Sequence, residues 1–168
     1  MSRVYLEENE LYQIDLRTAI WSKGDLHDLY KCIGHILSDV DFIAETENAV
    51  FLIEYKNTEV ENARDHKSFA EKMANGVLID NMVKKYYGSA FYILACEKKK
   101  PIHFIAVIES KLMEDSFMRR RIEASIKRRL PFDLQKNQGI LSNLIVDFKI
   151  LSISEWNKQY PMFPIQKC

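Results

Sequence analysis

Glycine and proline are scarce in this 168-residue chain, at 5 and 4. No linker, repeat or low-complexity tract interrupts it, and the length suits a single domain over residues 1–168. No glycine-rich phosphate loop is present, which leaves nucleotide-driven chemistry without support. The cysteines number only 3, Cys32, Cys96 and Cys168. Odd in number, widely spaced and free of any CxxC pair, they support neither a disulfide framework nor a structural zinc site. His27, His35, His66 and His103 likewise form no spacing that suggests a zinc site or a nucleophile. No run approaches the roughly 20 apolar residues of a membrane span, and the opening lacks a basic start followed by an apolar stretch. A soluble, cytoplasmic protein with no membrane partner is expected. Net charge is also missing, at zero, but the balance is 47% hydrophobic and 29% charged, which is ordinary for a globular core.

The zero hides an asymmetry. Residues 1–62 carry 13 acidic and 5 basic side chains, net −8, and residues 63–168 carry 11 acidic and 19 basic, net +8. Such a division can mark a half that faces nucleic acid, or chance clustering on a solvated surface. The periodicities predict a helix over 23–37, with Ser22 and Asp25 resembling a capping box, and a hairpin with arms 40–44 and 50–56. A long helix follows, capped by Asn62 with Asp65 in its first turn, bent at Gly76 and stopped by Gly88. Two near-continuous hydrophobic strands, 90–96 and 102–108, flank a basic turn. A helix over 111–130, a strand over 144–153 and a helical turn at 154–156 complete the order. Residues 1–21 are ambiguous between helix and strand.

The hairpin carries the chemistry. Side chains alternate along a strand, so Val50, Leu52, Glu54 and Lys56 share one face and Phe51, Ile53 and Tyr55 the other. Two charges therefore end a hydrophobic face, where a carboxylate needs a partner or a metal. Glu54 and Lys56 could be a strand-end ion pair. Asp41, at the start of the other arm, is brought near Glu54 by antiparallel pairing. A hydrophobic residue before Asp41, Glu54 13 positions after it, and the run Ile53, Glu54, Tyr55 and Lys56 resemble the motif of the PD-(D/E)XK, or restriction-endonuclease-like, nuclease superfamily. Val40 stands where the family often has proline.

That resemblance implies an α/β fold with an αβββαβ core, a mixed central sheet flanked by helices. It further implies a Mg²⁺-dependent nuclease, with Mn²⁺ as substitute. Asp41, Glu54 and the main-chain carbonyl of Tyr55 would hold the ion. Lys56 would orient water and stabilise phosphate charge, remaining protonated beside two carboxylates. Asp39 has the same parity as Asp41 and is an alternative ligand. Asp25 or Asp28 could contribute from the first helix, Asp28 together with Cys32 and His35, or these could be its solvated side. Lys67 and Lys72 are candidate phosphate contacts or surface lysines. On the third helix Arg120 and Lys127, and Arg121 and Arg128, are seven apart and fall on nearly one line, a row able to neutralise successive phosphates, with DNA the expected partner, or an ordinary charged flank. A homodimer would supply the two sites that duplex cleavage needs. The alternative is a noncatalytic nucleic-acid-binding or protein-interaction module of the same fold.

Overall fold

The computed structural model describes residues 3–59, 63–140 and 143–168, with side chains of the second segment from residue 68. Five strands form a mixed sheet in the order β3-β4-β5-β6-β7. Strands β3 (Trp21–Lys23), β4 (Phe42–Glu45) and β5 (Val50–Asn57) run antiparallel, and β6 (Ile102–Glu109) and β7 (Asp147–Leu151) continue parallel to β5. A smaller antiparallel sheet joins β1 (Val4–Leu6), β2 (Tyr12–Asp15) and β8 (Ile165–Lys167). Among the described residues five helices accompany the sheets: α1 (Leu26–Tyr30), α2 (Ala63–Ala74), α3 (Val77–Ala95), α4 (Ser116–Lys127) and α5 (Ile153–Gln159). None in the described residues is long and apolar enough to cross a membrane.

Alternation along the central strands divides the interior in two. Val50, Leu52, Phe104, Ala106, Ile108 and Ile150 pack with α1 to α4, whereas Phe51, Ile53, Tyr55, Ile105 and Val107 pack with α5 and the small sheet. Both faces of β5 and β6 are therefore covered, which is why these strands read as almost continuous apolar runs. Trp156 anchors the second layer; it is fully buried, and its indole N–H donates to the Phe163 carbonyl at 2.6 Å. Helix α5 begins with a capping box between Ser152 and Glu155.

Several elements differ from the sequence expectation. Residues 90–95 are not a strand but the last turns of α3, in which Ala90 and Ile93 are buried while Phe91 and Leu94 face outward. A short apolar run looks alike in both conformations, and packing on the sheet selects the helix. Gly88 does not stop that helix. It lies inside it, because a Cβ there would stand 1.9 Å from the Ser38 carbonyl oxygen, so glycine alone permits the contact. Gly76, at φ +78, divides the expected long helix into α2 and α3 rather than bending it. The expected cap Asn62 and the side chain of Asp65 lie outside the described residues. Helix α1 is short: residues 21–23 form β3, Ser22 Oγ bonds Tyr5 Oη at 3.0 Å instead of capping, and a 3-10 turn over Lys31–Ile33 ends the segment at Gly34. The ambiguous start is the β1–β2 hairpin, whose turn is held by Glu7: its carboxylate accepts from the Asn9 and Leu11 N–H groups at 2.9 and 2.8 Å.

Candidate functional site

Strand β5 outruns β4, and the site lies where β4 ends. Phe42 pairs with Ile53, so the next step of the ladder sets Asp41 against Glu54. The Tyr55 N–H, beyond the last paired residue of β4, donates to Asp41 Oδ2 at 2.7 Å. A strand residue directs its N–H and carbonyl to the same edge, so the Tyr55 carbonyl faces the gap that Asp41 borders. The Tyr55 side chain goes to the opposite layer. The Asp41 loop is fixed from α3, where Ser89 Oγ accepts from the Val40 N–H at 3.0 Å, and α1 is tied to α3 by the Tyr30 hydroxyl, which donates to the Gly88 carbonyl at 2.5 Å.

Glu54 is buried, and its partner is one that sequence reasoning did not name. Lys85 of α3 donates to both Glu54 oxygens at 2.7 Å. A signal was present: Leu78, Met82, Lys85 and Ser89 follow the 4-3-4 spacing of one helix stripe, and three of the four are fully buried. Burial, then the nearby Asp41 carboxylate, push the Glu54 carboxyl up to about 8 against the pull of Lys85 and Lys56. Burial also raises Asp41, opposed by Lys85 and the Tyr55 N–H. Burial pulls Lys85 down, but Glu54 and Asp41 outweigh it and hold the ammonium above its ordinary value. One lysine in contact thus serves two neighbouring carboxylates. Glu45, at the other end of the hairpin, is as little exposed but lies less deep, and Lys98 and Lys100 bring its carboxyl below the ordinary value. The Asp41 end is the under-compensated one.

No protein-family model, curated protein or solved structure matches this chain. Among the described residues, no group of three or more His, Cys, Asp or Glu side chains is arranged to hold a metal ion. A cation bound here would rely on Asp41, Glu54, the Tyr55 carbonyl and water, a hard-oxygen set of the kind that suits Mg²⁺.

Asp41 borders two adjoining clefts. One, of about 550 Å³, is lined by Asp39, Lys85, Glu8, His27 and His35 among others, and the second, of about 250 Å³, by Lys56, Asn57 and Glu8. Lys56 is half-buried, with Nζ 5.9 Å from the centre of the Phe69 ring. Asp39 lies 3.4 Å from His27 Nδ1, so of the two aspartates it is Asp41 that meets β5. Asp28 does not join Cys32 and His35. It is exposed and ion-paired with Lys31, and the reversal at Gly34 turns the His35 ring back to stack on His27 at 4.5 Å between centres. Asp25 is paired with Lys23 at 2.6 Å. Lys67 has no described side chain.

A pH effect on stability follows. Glu54 holds its proton more tightly folded than unfolded, so its contribution is full below the ordinary value of 4.5 and is lost as pH rises through about 8. Glu54→Gln removes that loss. The melting temperature of this variant relative to wild type is therefore expected to climb from about pH 5 to about pH 8.5, measured by thermal denaturation across buffers. A difference that stays constant over the range contradicts the assignment.

The basic row on α4 does not converge on this site. Arg120, Arg121 and Arg128 are exposed, while Lys127 lies 3.4 Å from Asp147. Asp147 pairs with His103, which pairs with Phe51, so Lys127 is three positions below Glu54 along the strands, roughly 10 Å at 3.3 Å per residue. Arg121 lines a separate cleft with Met73, Ile79, Met118 and Ile122.

Proposed function

We propose that this chain is a divalent-metal-dependent nuclease of the PD-(D/E)XK type, hydrolysing phosphodiester bonds, with DNA the favoured substrate. The observation that carries it is the meeting of Asp41, which borders the cleft, with the buried Glu54 of the neighbouring strand, two carboxylates with one lysine in contact. Carboxylates perturbed as these are cluster at functional sites. The order of elements supports it in part: a helix, an antiparallel hairpin, a helical crossover and a strand parallel to β5 follow one another, although the αβββαβ core has three strands after its first helix and here the third antiparallel strand, β3, precedes α1. Asp41, Glu54 and the Tyr55 carbonyl would hold Mg²⁺ or Mn²⁺. Such an ion supplies charge neutralisation at the phosphate and a more acidic water. Lys56, two residues beyond Glu54 on the same face, orients that water and offsets charge developing on the phosphate oxygens. Cleavage of labelled single- and double-stranded DNA and of RNA, with Mg²⁺ or Mn²⁺ and with a chelator, tests the activity. No cleavage of any of them in either metal rejects it.

One observation favours a second assignment. Both Glu54 oxygens are engaged by Lys85, as in a permanent structural ion pair, and this suits a noncatalytic nucleic-acid-binding or protein-interaction module. Divalent-metal binding separates the two, because an ammonium held permanently on both Glu54 oxygens repels a second cation there.

For the α4 row the expected result is graded. If the row follows the phosphate backbone, neutralising Arg120 and Arg121 weakens DNA binding alike for every sequence and lowers the salt slope by roughly 0.9 per lost contact. Neutralising Lys127 does less, since it already has Asp147, and Arg128, which is exposed, behaves as Arg120 and Arg121 do. Titrations across a salt series decide it, and an unchanged slope in all four assigns the row to solvent. Cutting both strands of a duplex also calls for a two-fold dimer. A monomer by light scattering would restrict the activity to nicking or to single strands.

A further inference from the structure

We infer that Lys85 is an internal counter-ion for Glu54 that a divalent cation displaces, so that the site exchanges one cation for another. The inference rests on the metal-dependent assignment above. Lys85 Nζ stands 2.7 Å from both Glu54 oxygens and takes one lone pair of each, so a metal ligated through both oxygens needs its position and one on a remaining lone pair shares an oxygen with the ammonium. The two cations also repel each other at contact distance.

Mobility in this pair belongs to the lysine. Glu54 sits on β5 between β4 and β6, with its side chain 8% exposed, and has nowhere to turn. The Lys85 side chain is 27% exposed, lines the 550 Å³ cleft and ends a flexible four-carbon stem, so the ammonium can withdraw into that cleft. The Glu45 pair at the far end of the hairpin is built differently. Lys98 is fixed over the Trp21 ring at 4.5 Å and Lys100 also donates to the Thr46 carbonyl at 2.8 Å, so that carboxylate keeps its two lysines. Metal-free, the displaceable ammonium spares the fold a second uncompensated buried charge. Metal-bound, its departure frees Glu54 as a ligand.

The test uses the full chain without nucleic acid. Mn²⁺ binding is measured by calorimetry and by its paramagnetic resonance for wild type, Lys85→Met and Asp41→Asn. Lys85→Met, with its competitor removed, is expected to bind Mn²⁺ roughly tenfold more tightly, within the range of ordinary site-to-site coupling, and Asp41→Asn more weakly than wild type. In wild-type protein with ¹⁵N-labelled lysine, the Lys85 Nζ resonance is expected to shift on Mg²⁺ addition with the midpoint of metal binding. Mn²⁺ bound equally by wild type and folded Lys85→Met overturns the exchange while leaving the metal site standing. Mn²⁺ bound by neither overturns the metal assignment, and the exchange with it. Should Lys85→Met fail to fold, the wild-type resonance decides: a Lys85 signal unmoved at saturating Mg²⁺ makes the lysine a fixed strut.

Discussion

Asp41→Ala, Glu54→Ala and Lys56→Ala are each expected to lower metal-dependent cleavage by roughly 10³-fold or more, with the triple variant hardly worse than the singles. Residues acting as one unit in a transition state give such non-additive losses, because removing any member disables the rest. Asp41 meets Glu54 across the ladder and also takes the Tyr55 N–H, so its loss removes a ligand and unfastens the main chain that offers the carbonyl. Asp41→Asn keeps the shape of the side chain and separates the two effects. Activity then stays lost while the melting temperature stays near wild type. For Glu54, alanine leaves Lys85 without its carboxylate in a mostly enclosed position, a loss of the kind that costs stability, whereas glutamine retains an acceptor for it. Gel assays of single-turnover cleavage alongside circular dichroism give both readouts. Full cleavage by all three alanine variants, on a substrate that wild type cuts, would falsify the assigned roles.

Gly88→Ala is expected to destabilise the fold by about 2 to 4 kcal/mol, or roughly 4 to 16 °C in melting temperature for a domain of this size. Two effects oppose each other. Alanine in a helix interior gains about 1 kcal/mol over glycine. Against this, its Cβ would stand 1.9 Å from the Ser38 carbonyl oxygen, a backbone atom that cannot rotate away. The clash decides the sign. Relief requires the 38–41 segment to move off α3, at the expense of the Val40–Ser89 hydrogen bond. That segment carries Asp39 and Asp41, so metal affinity falls together with stability. Differential scanning calorimetry measures the first effect, and a melting temperature equal to or above wild type would show that α3 does not need the close approach.

Much of the fold was legible in the residues alone. The hairpin that places Asp41 beside Glu54 could be located from its apolar arms and polar turn, and the parity of β5 correctly put Glu54 and Lys56 on one face, since period 2 leaves a strand no other arrangement. The strand at β6, the helix at α4 and the small fold-closing helix α5 were likewise visible from local pattern. Local pattern could not tell residues 90–96 from a strand. A run of seven mostly apolar residues satisfies both periods, and only the sheet on one side with solvent on the other shows Phe91 and Leu94 to be exposed. Gly88 looked like a helix stop for a similar reason: its purpose is an approach by Ser38, 50 positions away in the chain.

Local sequence determined which groups could do chemistry, and tertiary structure decided which of them meet. Asp41, Glu54 and Lys56 could be proposed together because one hairpin carries them all. Lys85 is 31 residues from Glu54 and reaches it only because α3 crosses the sheet on the face where Glu54 ends the apolar row. His27 and His35 stack because the chain reverses at Gly34, and Asp28 is withdrawn from them by its pair with Lys31. The row on α4 is a true helical line, but register across β5, β6 and β7 puts its Lys127 end well below the carboxylates. Period and spacing act over a few residues and are written in the sequence, whereas the charge compensation of a buried carboxylate depends on whatever long-range packing brings within hydrogen-bond reach.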